Sequence, residues 1–277
     1  MGWTKKLLNT PVVGDVTKKL VSMKVNHDAK SIAEHFTQFL QPEVANTQEL
    51  RDQVFKIRHE VYCEELNFLK STGANSEEDS FDKHSHFSLI KHKPTNIYTS
   101  CVRVVHSSNE NELLPIEHFC MDSIQDEELH PKNFARTEIC EISRLAVKAD
   151  FRRRASDKFK GSAVGAIAEN TYSETELRCF PFIAIGLYMA AATMAIDTGI
   201  NHVYVMMEPR LARSMKFVGI KFIQIGEAIE FHGKRAPYYI NPHIFLENLS
   251  PGFISLYESI RDDISSQLPS YNNSNKA

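Results

Sequence analysis

Apolar positions along the chain switch between two periods, and the switches mark the elements. In "TQELRDQVFKIRHEVYCEEL", residues 47–66, Leu50, Val54, Ile57 and Val61 recur at three- and four-residue steps, which predicts a helix. Thr47 stands at its N-cap, with Glu49 and Asp52 in the first turn. "AKSIAEHFTQFL" predicts a shorter helix before it. Alternation then takes over. "HFSLIKH" and "YTSCVRVVHS" read as strands joined by the turn "KPTN", and "EICEISRLAV", residues 138–147, as a further strand. Residues 107–133 read as loop with a short helix. Past a basic connector, "KADFRRRASDKFKG", residues 163–199 read as helical material closing on Gly199. "HVYVMM" is a strand, "EPRLARSMKFVG" a short helix, and "FIQIGEAIEFHGKRAPYYIN" a strand, a turn and a strand. The tail "PHIFLENLSPGFISLYESIRDDISSQL" holds an amphipathic helix expected to pack on the domain, and "PSYNNSNKA" reads as disordered.

Early strands joined by short turns pair antiparallel, and the later strand–helix–strand implies a crossover. The fold class is therefore α/β (α+β), a mixed, mostly antiparallel central sheet with helices on both faces. The expected organisation is an N-terminal arm and helix over 1–44, one domain over 45–250, and a C-terminal helix and tail over 251–277.

Charge and composition narrow the function classes. With 32 basic against 35 acidic residues, bulk binding to nucleic acid is not expected. The longest apolar run, "FPFIAIGLYMAAATMAI", is short for a transmembrane segment and suits a buried helix. "MGWTKKLL" lacks the apolar core of a secretory signal, and Lys6 breaks a myristoylation pattern. The cysteines (Cys63, Cys101, Cys120, Cys140 and Cys179) are scattered without a C-x-x-C pair, which suits reduced thiols in a cytoplasmic protein. Peripheral membrane contact would fall to the tail helix, where Glu258, Asp262 and Asp263 argue against an anionic surface.

Three groups of residues suggest chemistry. In the strand 138–147, simple alternation puts Ile139, Glu141, Ser143, Leu145 and Val147 on one face, with Cys140, Ile142, Arg144 and Ala146 on the other. A carboxylate among apolar neighbours loses hydration and becomes a better base near neutral pH. The bland reading of Glu141 is a structural ion pair, for instance to Arg103. Second, Glu77, Asp79 and Asp82 in "SEEDSFD" form either a solvated loop or a site for an ammonium or hydroxyl group; the loop lacks a calcium pattern. Third, Lys148, Arg152, Arg153, Arg154, Lys158 and Lys160 follow the Glu141 strand and suit a solvated face, a phosphate or an acidic partner. His84, His86 and His92 show no metal-ligand spacing, and no metal is expected.

The order of these residues carries a resemblance. Arg58 in "IRHEVYCEELNF", then Tyr62, Phe68, Glu77, Asp79, Asp82 and Arg103 in "SCVRVV", resembles the N-terminal signature of the autoinducer (acyl-homoserine-lactone) synthases, and "EISR", Glu141 to Arg144, resembles their second signature. Residues 208–241, "EPRLARSMKFVGIKFIQIGEAIEFHGKRAPYYIN", resemble the PEP-CTERM/exosortase system-associated acyltransferases, relatives of the N-acyl amino acid synthases. The resemblance covers about residues 45–250. It implies a GCN5-related N-acyltransferase (GNAT) fold with a splayed central strand pair, and a bacterial N-acyltransferase moving a fatty acyl chain from acyl carrier protein, or from acyl-CoA, to the amine of an amino acid or similar small acceptor. No tightly bound cofactor is implied beyond that donor, whose phosphopantetheine thioester is a substrate.

In that reading Glu141 is the base, and Ser143 orients the acceptor or the thioester. Backbone N–H groups where the Glu141 strand splays from "HVYVMM" hold the oxyanion. Arg58, Glu77, Asp79, Asp82, Arg103 and Arg144 bind the acceptor or brace the site. Val147, Arg152, Arg153 and Arg154 meet the donor's phosphopantetheine arm, and Met206 and Met207 line the acyl slot. Arg144, by strand parity, points away from the thioester. Two alternatives stand beside it: a homoserine-lactone synthase using S-adenosylmethionine, and a non-catalytic module that binds acyl carrier protein or lipid. Phe68 occupies the place of a tryptophan in the autoinducer family, which weighs against S-adenosylmethionine. "ADFRRRAS" lacks the paired glycines of an acetyl-CoA phosphate loop, which weighs against ordinary acetyl-CoA.

Overall fold

Strand structure begins earlier than the alternation suggests. The computed structural model describes residues 32–70, 73–152, 182–216 and 218–268. Helix α1 (32–39) runs directly into strand β1 (Leu40–Val44), which pairs antiparallel with β2 (Ser85–His92). The sheet thus reaches into the stretch read as an arm. From there β2 pairs with β3 (Ile97–His106), and β3 with β4 (Ile139–Val147), all antiparallel. Strand β4 then pairs parallel with β5 (His202–Met207), and β5 antiparallel with β8 (Lys234–Ile240). Two short strands, β6 (Ile223–Gln224) and β7 (Ile229–Glu230), both pair with β8, and the sheet order is β1-β2-β3-β4-β5-β8-β6. This is the mixed, mostly antiparallel sheet expected, with its one parallel step at β4–β5.

Helices cover both faces. On one side lies α5 (Ile183–Asp197), apolar around most of its circumference, as a helix buried between layers must be. It packs with Phe36 of α1 and with Leu256, Ile260 and Ile264 of α8 (Pro251–Ser265) over Val102, Val104, Cys140 and Ile142 of the sheet. The tail helix is therefore part of the main core. On the other side lies α2 (Gln48–His59), which buries Val54 and Ile57 against Phe87, Leu89 and Cys101. Thr47 caps α2, its side chain accepting from the Leu50 N–H. The expected helix does not stay α-helical to residue 66: Glu60–Glu65 form a π-turn, marked by the Leu66 N–H reaching the Val61 carbonyl. Among the described residues no helix is long and apolar enough to cross a membrane.

Between β3 and β4 the chain adds α3 (Pro115–Cys120) and a loop packed on Tyr204 and Tyr239. Ile124 bridges Gly226, and the Gln125 and Asp126 N–H groups both reach the Ile225 carbonyl. A Cβ at Gly226 would stand 1.8 Å from the Ser123 carbonyl oxygen, so only glycine fits there. Gly226→Ala is expected to cost ~1–3 kcal/mol by overpacking, read as a lower midpoint in urea unfolding. The remaining helices are α4 (Ala149–Arg152), α6 (Pro209–Met215) and α7 (Pro242–Asn248).

Candidate active site

Strands β4 and β5 pair only from Ile139↔His202 to Glu141↔Tyr204. Beyond that point β4 continues with β3 and β5 with β8, so the sheet splays open immediately after Glu141. A cleft open to solvent lies at the splay. Glu141, Ser143, Arg103, Arg144 and Arg235 supply its polar lining, while Tyr62, Phe68, Phe119, Met206 and Phe231 supply apolar walls.

Glu141 is 2% exposed. Burial pushes its carboxyl up to about 8, against the opposing pull of the Ile116 N–H and of the Arg103 and Arg144 charges. The Ile116 N–H donates to its Oε2 at 2.5 Å. The ion pair to Arg103 weighed from the sequence does not form. Arg103 is instead committed to Asp79 (2.5 Å), Asp82 (2.7 Å) and, through Nε, the Ser143 hydroxyl oxygen at 3.0 Å. The alignment Arg103↔Ser143 across β3–β4 puts those two side chains on the same face.

The acidic loop is tied down by arginines from three elements. Arg58 on α2, fully buried, pairs with Glu77 and with Asp82 at 2.7 Å. Arg144 on β4 reaches Glu77 at 3.2 Å and Asp79 at 3.0 Å. The loop's own chemistry places the acids. Asp79 caps the turn Ser80–His84 by accepting from the Phe81 N–H, and Asp82 reaches back to the Asp79 N–H at 2.8 Å. Burial raises the Asp82 carboxyl, but Arg58 and Arg103 outweigh it and hold the group below its ordinary value. Glu77, Asp79, Asp82 and Arg58 form a wall behind the cleft and do not line it.

Several expectations need correction. Strand parity put Arg144 on the face opposite Glu141, yet Arg144 lines the same cleft. The cause is a bulge. The β3–β4 register steps from Arg103↔Ser143 to Cys101↔Ala146, and Arg144 sits at φ +51°. The extra residue inverts the alternation, so Leu145 and Val147 join Cys140 and Ile142 on the α5 side, while Ala146 packs toward α2. Val147, expected at the donor, is a core residue paired with Ser100. The two methionines also divide: Met206 lines the cleft and Met207 is buried in the α5 core, as alternation along β5 requires. Arg152 pairs with Glu65, and Lys148 with Glu60 at 2.7 Å, so these two cations of the connector already have partners. Arg153 and Arg154 lie outside the described residues.

The sequence reading also missed residues. The buried Arg136–Glu117 pair, 2.7 Å, with Arg136 also on the Ser107 hydroxyl and the Glu112 carbonyl, fixes α3 so that the Ile116 N–H meets Glu141. Tyr62 is held by its hydroxyl on the Leu145 carbonyl at 2.8 Å. Arg235, with Phe231 and His232, comes from the β7–β8 hairpin, which reads from sequence as strand, turn and strand. Cys63, Cys101, Cys120 and Cys140 are buried and free, and Cys179 lies outside the described residues. Among the described residues no group of three or more His, Cys, Asp or Glu is placed to hold a metal ion.

Residues 57–160 match the profile of the acetyltransferase (GNAT) domain. The structure is similar to TofI in a ternary complex with an inhibitor and MTA, with TM-score 0.53 and 15% identity over 76% of this chain and 98% of that one. It is similar to FeeM, an N-acyl amino acid synthase from uncultured soil microbes, with TM-score 0.51 and 12% identity over 76% and 94% of the two chains. BjaI, a CoA-dependent acyl-homoserine lactone synthase with SAM and isopentyl-CoA, gives TM-score 0.51 and 16% identity over 82% and 89%. The fold is GNAT-like. Comparison of the sequence with curated proteins returns no match. In GNAT terms, the β4–β5 splay is the feature expected from the sequence as a separated central strand pair, and the cleft with Glu141 at its floor opens there.

Proposed function

We propose that the chain is an N-acyltransferase that moves an acyl group from a thioester, carried by acyl carrier protein or coenzyme A, to the amine of a small acceptor. The observation that carries this reading is Glu141, a buried carboxyl raised to about 8, at the floor of a cleft where two strands part. A group that titrates near neutral pH can take a proton from the acceptor's ammonium, freeing the amine to attack, or from the amine nitrogen as it attacks. The amine nitrogen bonds to the thioester carbonyl carbon, its proton passes to Glu141, directly or through one water, and the C–S bond breaks as the leaving thiolate takes that proton back from Glu141. Backbone N–H groups at the splay stabilise the tetrahedral oxyanion. The Ser143 hydroxyl oxygen accepts from Arg103, which leaves its own proton to orient acceptor or thioester. Met206, with the aromatic walls, holds the acyl chain.

The resemblance of residues 208–241 supports placing the chain with the PEP-CTERM/exosortase-associated acyltransferases. Mass spectrometry of lipid extracts from cells making the protein is expected to show an N-acyl product that is absent with Glu141→Gln. A product carrying a homoserine lactone assigns the chain to that synthesis instead. Thioester turnover at background rate with every amine tried removes the enzymatic reading and leaves a binding module.

A further inference from the structure

Three guanidinium groups line the cleft, and they differ in what they touch. Arg103 is paired with Asp79 and Asp82, and Arg144 with Glu77 and Asp79. Arg235 makes no ion pair among the described residues, and its Nε is buried without a hydrogen-bond partner. The Arg144 Nε is likewise buried and unpartnered. Glu141 is the one carboxylate among the lining residues, and it is largely protonated at neutral pH. The cleft therefore holds one guanidinium, that of Arg235, which no carboxylate of the described residues offsets. An anionic group of a ligand would supply that partner.

Arg235 is also placed to act as a fork. It stands on β8, directly across from Ile229 in the β7–β8 hairpin. Its guanidinium lies 5.8 Å from the centre of the Phe68 ring, and that ring stacks on His232 from the hairpin turn. An arginine resting on an aromatic face presents its planar edge, which matches a carboxylate bidentately. We propose that Arg235 binds the carboxylate of the acceptor, so that the acceptor is an amino acid with a free carboxylate and an apolar or aromatic side chain. This rests on the acyl-transfer reading: the carboxylate anchors on Arg235 while the amine lies toward Glu141 on the cleft floor. The apolar side chain is assigned from the walls that Phe119, Phe231 and Leu69 provide. A phosphate of the donor's pantetheine arm could use the same fork, and the test separates the two.

The test titrates the full-length protein with L-leucine, L-phenylalanine and L-tyrosine, and with the amide of each, by calorimetry and thermal shift. At least one free acid is expected to bind ~10- to 100-fold more tightly than its amide, and Arg235→Met is expected to abolish that preference, the scale of a lost charge-assisted fork. Arg235→Lys, which keeps the charge without the fork, is expected to fall between. Equal binding of acid and amide by the wild type, an unchanged preference in Arg235→Met, or no binding of any acid overturns the proposal. So does weaker binding of desulfo-coenzyme A to Arg235→Met with the acid preference intact, which assigns the fork to the donor. Arg235 is part-exposed on a hairpin, and an unchanged melting temperature of the unliganded variant shows that it folds. Because binding is read without turnover, absence of acyl transfer with an acid that binds would count against the enzymatic reading and leave the carboxylate site standing.

Discussion

Glu141→Gln is expected to lower kcat by ~10²-fold or more with any productive acceptor, the scale of general-base loss. The substitution preserves shape and can still accept from the Ile116 N–H, so donor binding is expected to survive. The pH profile is the sharper readout. In the wild type kcat/KM should rise with pH and level off above about 8, where the Glu141 carboxyl gives up its proton. That step should vanish in the glutamine variant. A stability signature accompanies it. Burial raises the folded-state value above the unfolded one, so the folded protein holds the extra proton between about 4.5 and about 8. The stability contributed by protonated Glu141 is complete below that window and lost as pH rises through it. Glu141→Gln should therefore gain in melting temperature relative to wild type as pH is raised from 5 toward 9 in a scanning series. Near-wild-type turnover in the variant would remove Glu141 from the base role.

Arg58→Met is expected to cost ~3–5 kcal/mol, the usual penalty for removing one partner of a buried ion pair. Arg58 is fully buried and touches both Glu77 and Asp82. Without it, Arg103 and Arg144 keep only part of the acidic loop paired. Denaturant unfolding measures the loss, and amide exchange over residues 73–84 should show the loop opening first. The sign of the pH dependence is fixed by Asp82, whose carboxyl is held low in the wild type. Its stabilising contribution is present above the unfolded value and fades as pH falls through the folded one. The gap between wild type and variant should thus narrow in acid. A constant gap across pH would show that the loss is one of packing alone.

Much of the layering was legible because burial imposes period. The α2 stripe, the buried apolar helix α5 and strands β2, β3 and β5 each followed their hydrophobic repeat. Strand β1 was not legible. "LQPEV" is short, and Pro42 argues against a central strand, but β1 is an edge strand, where a missing N–H is tolerated. In the site, the acids and arginines were readable as a set, while their pairing was not, since it depends on three elements meeting over one loop. The bulge at Arg144 carries no glycine to announce it, and it misled the reading of Val147 and of Arg144 itself. Nothing in the hydrophobic pattern singles out Arg235; the closure of the hairpin over Phe68 sets it apart.

The wide turn at Glu60–Glu65 has a further consequence. A π-turn is an α-helix that has absorbed one added residue. Every side chain after it is rotated by roughly 100°, one residue's share of a helical turn. Tyr62 belongs to that stretch, and its ring forms a wall of the cleft. Wall and acidic loop thus depend on where the helix accommodates its surplus residue. An indel of a single residue there would re-aim the approach to Glu141 and leave the sheet untouched, giving evolution a small lever for retuning substrate choice.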